Sequence, residues 1–229
     1  MLVHAQSLLK YDESIKFSRY VIENDISNSH YSAHATLNIC NCHYYLGDYK
    51  TSMTFLDDYK KYSFSFVEDN VKFITGCING KTGNVELGIK QLEGYLKAPS
   101  DFNLVYAVTT LMDLYLIKHD FKSAKKLLEH VPEMEESIKD KRTTPDKKAR
   151  LAFFYQLVGN VLIIEDDEKA FDYYLKSALE YMRIGLYENA LGSIIIINDV
   201  IIENPSRYNI GVIRKKNALY KQIVNKKLD

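Results

Sequence analysis

The chain has 229 residues, with thirty Lys and Arg balanced by thirty Asp and Glu. A net charge of zero excludes binding to nucleic acid through a bulk basic field. Four Pro, ten Gly and eighteen Tyr agree with an all-helical domain in which tyrosines fill gaps between helices and keep a hydroxyl at the surface.

In chain order, residues 1–9 already read as the first helix of a repeat, with no cap before it. An uncapped apolar face is unfavourable in a helical array, so a preceding effector segment is expected to be missing. Met1 to Gln6 lacks the basic start and apolar core of a signal peptide. Residues 34–62 carry the clearest unit. Leu37, Cys40 and Tyr44 recur at helical spacing, Leu46-Gly47-Asp48-Tyr49 breaks the pattern, and Ser52, Phe55, Leu56 and Tyr59 resume it. A Gly-Asp-aromatic turn followed by a small residue is the core of a tetratricopeptide unit: glycine turns the chain, aspartate caps the next helix, and the small side chain lets two helices approach.

The pattern recurs at Gly83-Asn84-Val85 with Gly88, at His119-Asp120-Phe121 with Ala124, and in shortened form at Glu165-Asp166-Asp167 with Ala170. Ser14 holds the small position of an opening copy. Successive small positions lie 38, 36, 36 and 46 residues apart, slightly longer than the roughly 34 of the ideal unit. The last interval contains a polar insertion between Pro132 and Asp146, expected as a loop bounded by Pro132 and Pro145. The predicted fold is all-α, a tetratricopeptide-like superhelix of helical hairpins over residues 1–203. Residues 204–229 form a C-terminal capping or dimerisation helix with the apolar stripe Ile210, Ile213, Leu219 and Ile223. The run Ile194 to Ile202 adds more apolar surface than a short cap needs, which points to a homodimer. It is too short and too interrupted to span a bilayer, so no membrane partner is expected.

Chemistry is nearly silent. There is no P-loop, no GxSxG, no HExxH and no dinucleotide glycine motif, so no enzymatic activity and no cofactor is expected. Cys40-Asn41-Cys42-His43 has no second ligand pair for a zinc site, and reads as core cysteine. Cys40, Cys42 and Cys77 are an odd number without framework spacing, which points to a reducing cytoplasm.

The first helix of each tetratricopeptide pair lines the inner groove. Aligned on the turn, Asn41, Cys77, Asp113 and Asn160 share one position. Four and seven residues earlier on the same face stand Leu37 and His34, Phe73 and Asn70, Thr109 and Tyr106, and Gln156 and Phe153. Apart from Leu37 and Cys77 these are the candidate peptide contacts. Asparagine suits that role because its amide both donates and accepts.

The degenerate repeats and the segments VHAQSLLKYDESIKFSRYVIE, HATLNICNCHYYLGDY, DLYLIKHDFKSAKKLLEHV and FFYQLVGNVLIIEDDEKAFDYYLKSALEY resemble the C-terminal domain of the peptide-pheromone receptors of Gram-positive bacteria and their phages. That group includes the Rap, NprR, PlcR and PrgX proteins and the arbitrium receptors. The resemblance implies a peptide-sensing domain of a quorum-sensing-type transcriptional regulator that holds a short signalling peptide in its groove. It also implies a dimer formed through the C-terminal helices, and contact with DNA only through a missing N-terminal domain. Asn41 matches a peptide-binding asparagine of the family, whereas His30 stands where the arbitrium receptors carry an arginine.

Overall fold

A computed structural model describes residues 10–25, 27, 29–97, 99, 103–140, 143–165, 167–205 and 209–228. The expected helix over residues 1–9 lies outside them, as does Asp166. Among the described residues every regular element is helical, and consecutive helices pair as the antiparallel hairpins that the tetratricopeptide spacing predicts. The chain divides into two compact units, residues 1–114 and 115–229.

The first unit holds α1 (Tyr11–Asn24), α2 (His30–Tyr45), α3 (Tyr49–Tyr59), α4 (Ser65–Lys81), α5 (Val85–Tyr95) and most of α6 (Leu104–Ile117). Its hairpins close through a repeated turn. Asp48 N–H donates to the His43 carbonyl at 2.9 Å, and Asn84 N–H to the Asn79 carbonyl at 3.0 Å. These are the six-to-one bonds of a Schellman C-cap, which needs a left-handed residue just before the donor. Gly47 and Gly83 supply it with φ of +78° and +93°. Asp48 then caps α3, its carboxylate accepting from Thr51 N–H at 3.1 Å.

The small positions lie at helix crossings. Ser14 and Ser52 are fully buried, and Ser52 Oγ donates to the Cys40 carbonyl at 2.9 Å. A Cβ on Gly88 would stand 2.6 Å from Gly80 Cα, so α5 and α4 touch backbone to backbone. Around these crossings the core of the unit is Ile39, Leu56, Tyr59, Ile78 and Leu92. Cys40, Cys42 and Cys77 are buried in it and form no disulfide. Burial pushes the Cys40 thiol up to about 11.

The second unit continues with α7 (Phe121–Lys126), a 3-10 turn (Leu127–His130), α8 (Val131–Ser137), α9 (Pro145–Ile164), α10 (Lys169–Arg183), α11 (Tyr187–Glu203) and α12 (Ile210–Leu228). Its first turn repeats the pattern, but His119 takes the left-handed place at φ +57°. Ala124 and Ala170 are fully buried at their crossings, and the ring of Tyr174 covers Gly159.

Three expectations need correction. The insertion is a loop only in part: Pro132 lies in the first turn of α8, fully buried Met134 anchors that helix, and the described residues between Ser137 and Pro145 are non-helical. Proline is tolerated at a helix start, so the two bounding prolines begin helices here. A further turn also went unread. Gly185 has φ +80°, Leu186 N–H donates to the Tyr181 carbonyl at 2.9 Å, and Ala190 is the buried small residue three places after Tyr187. Finally, α12 packs on α10 and α11 through Ile223, Leu219 and Ile213, whereas Ile210 is 58% exposed and lies off the stripe. No helix among the described residues is long and apolar enough to cross a membrane.

Candidate functional site

The exposed face of α2 carries His30, His34, Leu37, Asn41 and Tyr45 at spacings of three and four, one continuous stripe along the helix. It runs about 22 Å at 1.5 Å per residue. His30 and His34 are exposed; Leu37, Asn41 and Tyr45 are half-buried.

Aromatic rings flank both ends of this stripe. The His34 ring lies 4.9 Å from Phe66 and nearly parallel to it, His30 lies 3.8 Å from Phe64, and the two phenylalanines stack at 5.5 Å. Tyr62 stacks on Phe64 at 6.4 Å and places its hydroxyl 3.2 Å from Thr36 Oγ1. At the other end Tyr45 stacks on Tyr11 of α1 at 5.6 Å. Burial first, and repulsion from His30 second, lower the pKa of His34.

Between these aromatic ends the side chain of Asn41 makes no hydrogen bond among the described residues. Its neighbour Asn38 differs: Nδ2 donates to Ser14 Oγ at 2.6 Å and to Ser18 Oγ at 2.8 Å, joining α2 to α1. Asn41 therefore keeps two donors and a carbonyl acceptor available beside apolar rings. Such an arrangement can both donate to and accept from an amide-bearing ligand. Among the described residues no group of three or more His, Cys, Asp or Glu side chains is placed to hold a metal ion.

The aligned positions on the other helices do different work, which corrects the expectation of one uniform row. Phe73 is buried with its ring 5.6 Å from Tyr95. Tyr106 and Thr109 are buried, and Thr109 Oγ1 donates to its own helix at the Val105 carbonyl, 2.6 Å away. The cause is local: α6 reads LVYAVTTLMDLYLI, so nearly every side of it is apolar and buried. Asn70 donates to Tyr59 Oη and to the Phe66 carbonyl, and accepts from Asn103, which ties α4 to its neighbours. Asp113 forms an ion pair with Lys81.

In the second unit Gln156 Nε2 donates to Ser193 Oγ at 2.7 Å, and Asn160 Oδ1 accepts from the Tyr174 hydroxyl at 2.9 Å. Phe153 is half-buried on the same helix. Of the candidate residues, then, only His34 and Asn41 lie together on the exposed α2 stripe. Sequence reasoning missed Tyr62, Phe64 and Phe66. Their alternation in YSFSF was the available signal: a period of two puts Tyr62 and Phe64 on one side of an extended segment, and Phe66 follows in the first turn of α4.

No protein-family model matches this sequence, and no curated protein matches it. Among solved structures the chain is similar to BtubC (BKLC) from P. vanneervenii, with 11% identity and a TM-score of 0.55 over 97% of this chain and 90% of that one. At this identity the likeness is one of fold. The TPR2AB domain of yeast Sti1, in its pHSP90 complex, aligns over 94% of this chain and 92% of that one at 15% identity. Its TM-score of 0.35 is too low for the match to bear on fold or function.

Proposed function

We propose that this chain is the peptide-sensing domain of a quorum-sensing-type regulator of transcription, acting in the cytoplasm and not as an enzyme. It binds a short signalling peptide in extended form along the exposed face of α2. The observation that carries this reading is Asn41, a half-buried side-chain amide without a partner among the described residues, set between two aromatic clusters on one stripe. An extended peptide of six or seven residues covers the stripe's length at about 3.3 Å per residue. Asn41 pairs with its backbone while the rings at each end cover its side chains. Asn160, committed to Tyr174, acts in this reading as a positioning residue within its own unit.

The test is calorimetry with the tightest binder from a library of five- to ten-residue peptides. Leaving a peptide amide unpaired costs about 1–3 kcal/mol, so Asn41→Ala weakens binding roughly tenfold or more with the fold intact. Phe66→Ala weakens it as well by removing the floor under His34. Asn160→Ala lowers the melting temperature and leaves affinity unchanged. If Asn41→Ala and Phe66→Ala both bind like wild type, the α2 site is wrong.

The second reading is a general scaffold for a protein partner, favoured by the helical-hairpin architecture alone. It predicts that no peptide of the library binds, while a longer folded or helical segment does. In the receptor reading the regulator is a homodimer, its partner copy covering Ile195 and Ile202, which are 54% and 74% exposed on α11.

A further inference from the structure

The last helix is set apart by charge. Residues 204–229 hold seven of the chain's thirty basic residues and one of its thirty acidic ones, and α12 carries no carboxylate. Its apolar side is spent on α10 and α11. The opposite side presents Arg214, Asn217, Ala218, Lys221 and Asn225, all exposed, with Gln222 and Lys226 on the flank. One neighbouring cation is partly neutralised: Lys215 Nζ lies 3.3 Å from Asp172 Oδ1 of α10.

We propose that this outward face of α12 is a nucleic-acid contact surface that grips phosphates. Arg214 and Lys221 sit two helical turns apart, about 10 Å, and the face from Arg214 to Asn225 spans about 16 Å. That length of one duplex strand carries about five phosphates. The amides of Asn217, Gln222 and Asn225 interleave the cations and both donate and accept, which suits phosphate oxygens and base edges. Ala218, at the centre, allows the helix backbone to come close.

The same chemistry argues against two other occupants. A helix lying on an anionic bilayer must bury its apolar face, and here that face is already buried in the protein. A second copy of the face would set like charges together, with no carboxylate to pair them.

Fluorescence anisotropy of the full chain with a labelled 20-base-pair duplex and a labelled 20-nucleotide single strand tests this. Each is measured at 50 and 200 mM salt, beside vesicles of anionic phospholipid. Binding to duplex, single strand or both is expected, weakening steeply with salt as expected for about three phosphate contacts. Arg214→Glu with Lys221→Glu should lower affinity at least tenfold with unchanged helicity. Lys90→Glu with Lys97→Glu, an equal charge change at exposed lysines of the first unit, should change it less than twofold. Binding to vesicles alone, no binding at 50 mM salt, or an equal loss in both double variants would overturn the proposal. The duplex and single-strand arms decide which form of nucleic acid the face takes.

Discussion

Gly88 shows how little room a helix crossing leaves. A methyl group there would meet the amide nitrogen of Gly80 at 2.5 Å, and a backbone atom cannot swing aside as a side chain can. Gly88→Ala should therefore cost on the order of 1–3 kcal/mol, as overpacking of a core does. Gly192, within α11, has nothing within 4 Å of its would-be Cβ. Gly192→Ala should instead stabilise by roughly 0.5–1 kcal/mol, because alanine is the better helix former. Chemical denaturation of the two variants checks both signs at once. Equal shifts would mean that the α4–α5 crossing is not as close as described. The small positions were legible because their spacing from a turn is fixed by local geometry. The stacking of His34 on Phe66 was not, since it joins residues 32 positions apart and needs the packing of α2 on α4.

At the level of whole elements, acidic side chains fix where helices begin, Asp48 and Asp120 as caps themselves and Asp25 by holding the capping Ser29 of α2. Asp25 accepts from the hydroxyls of Ser29, Ser32 and Ser27 and from the backbone amides of Ser27 and Ser29, just ahead of α2. The Ser29 hydroxyl first, then those of Ser32 and Ser27, hold its carboxyl well below the usual carboxylate range. Asp48 and Asp120 are lowered in the same sense, by Thr51 and by Ser123. The folded state thus binds these protons more weakly than the unfolded chain does. The stabilisation is complete above the unfolded carboxylate pKa of about 4 and is lost as pH falls below it. Melting temperature should drop on going from pH 5 to pH 3, and Asp25→Asn should show a shallower drop. A parallel fall in both proteins would remove Asp25 from the account. Turn chemistry was the most readable layer of the sequence. It failed at Gly185 because the small residue of that turn, Ala190, follows Ala170 by only 20 residues and so breaks the repeat spacing, and between Pro132 and Pro145 because prolines that begin helices look like prolines that end them.

For the whole molecule, neutrality conceals a segregation: the last 26 residues are strongly basic and the remainder is acidic to the same degree. Bulk composition was the wrong scale at which to judge a polyanion surface, since one helix face is enough to build it. In the receptor reading, self-association would use a different face, the exposed isoleucines of α11. Ile195→Glu with Ile202→Glu should convert a dimer to a monomer by light scattering, with α12's nucleic-acid affinity per chain unchanged. A wild-type chain that stays monomeric at high concentration would refute the dimer. The site divided similarly by legibility. The outward placement of Asn41 on α2 was legible from repeat alignment, whereas equivalent positions on α4, α6 and α9 hold helices together, which depends on neighbours distant in sequence.

The three thiols, all enclosed in residues 1–114, also make the protein its own stopwatch. A disulfide reagent can reach Cys40, Cys42 or Cys77 only when the hairpins around them part, and a thiol whose pKa is raised reacts slowly even then. The rate of thiol capture under native conditions therefore reports the opening of the first unit, with no signal from the second and no label to introduce. A peptide bound on α2 should slow that rate in proportion to its occupancy. Chemical reactivity would thus register peptide binding without any label on the peptide.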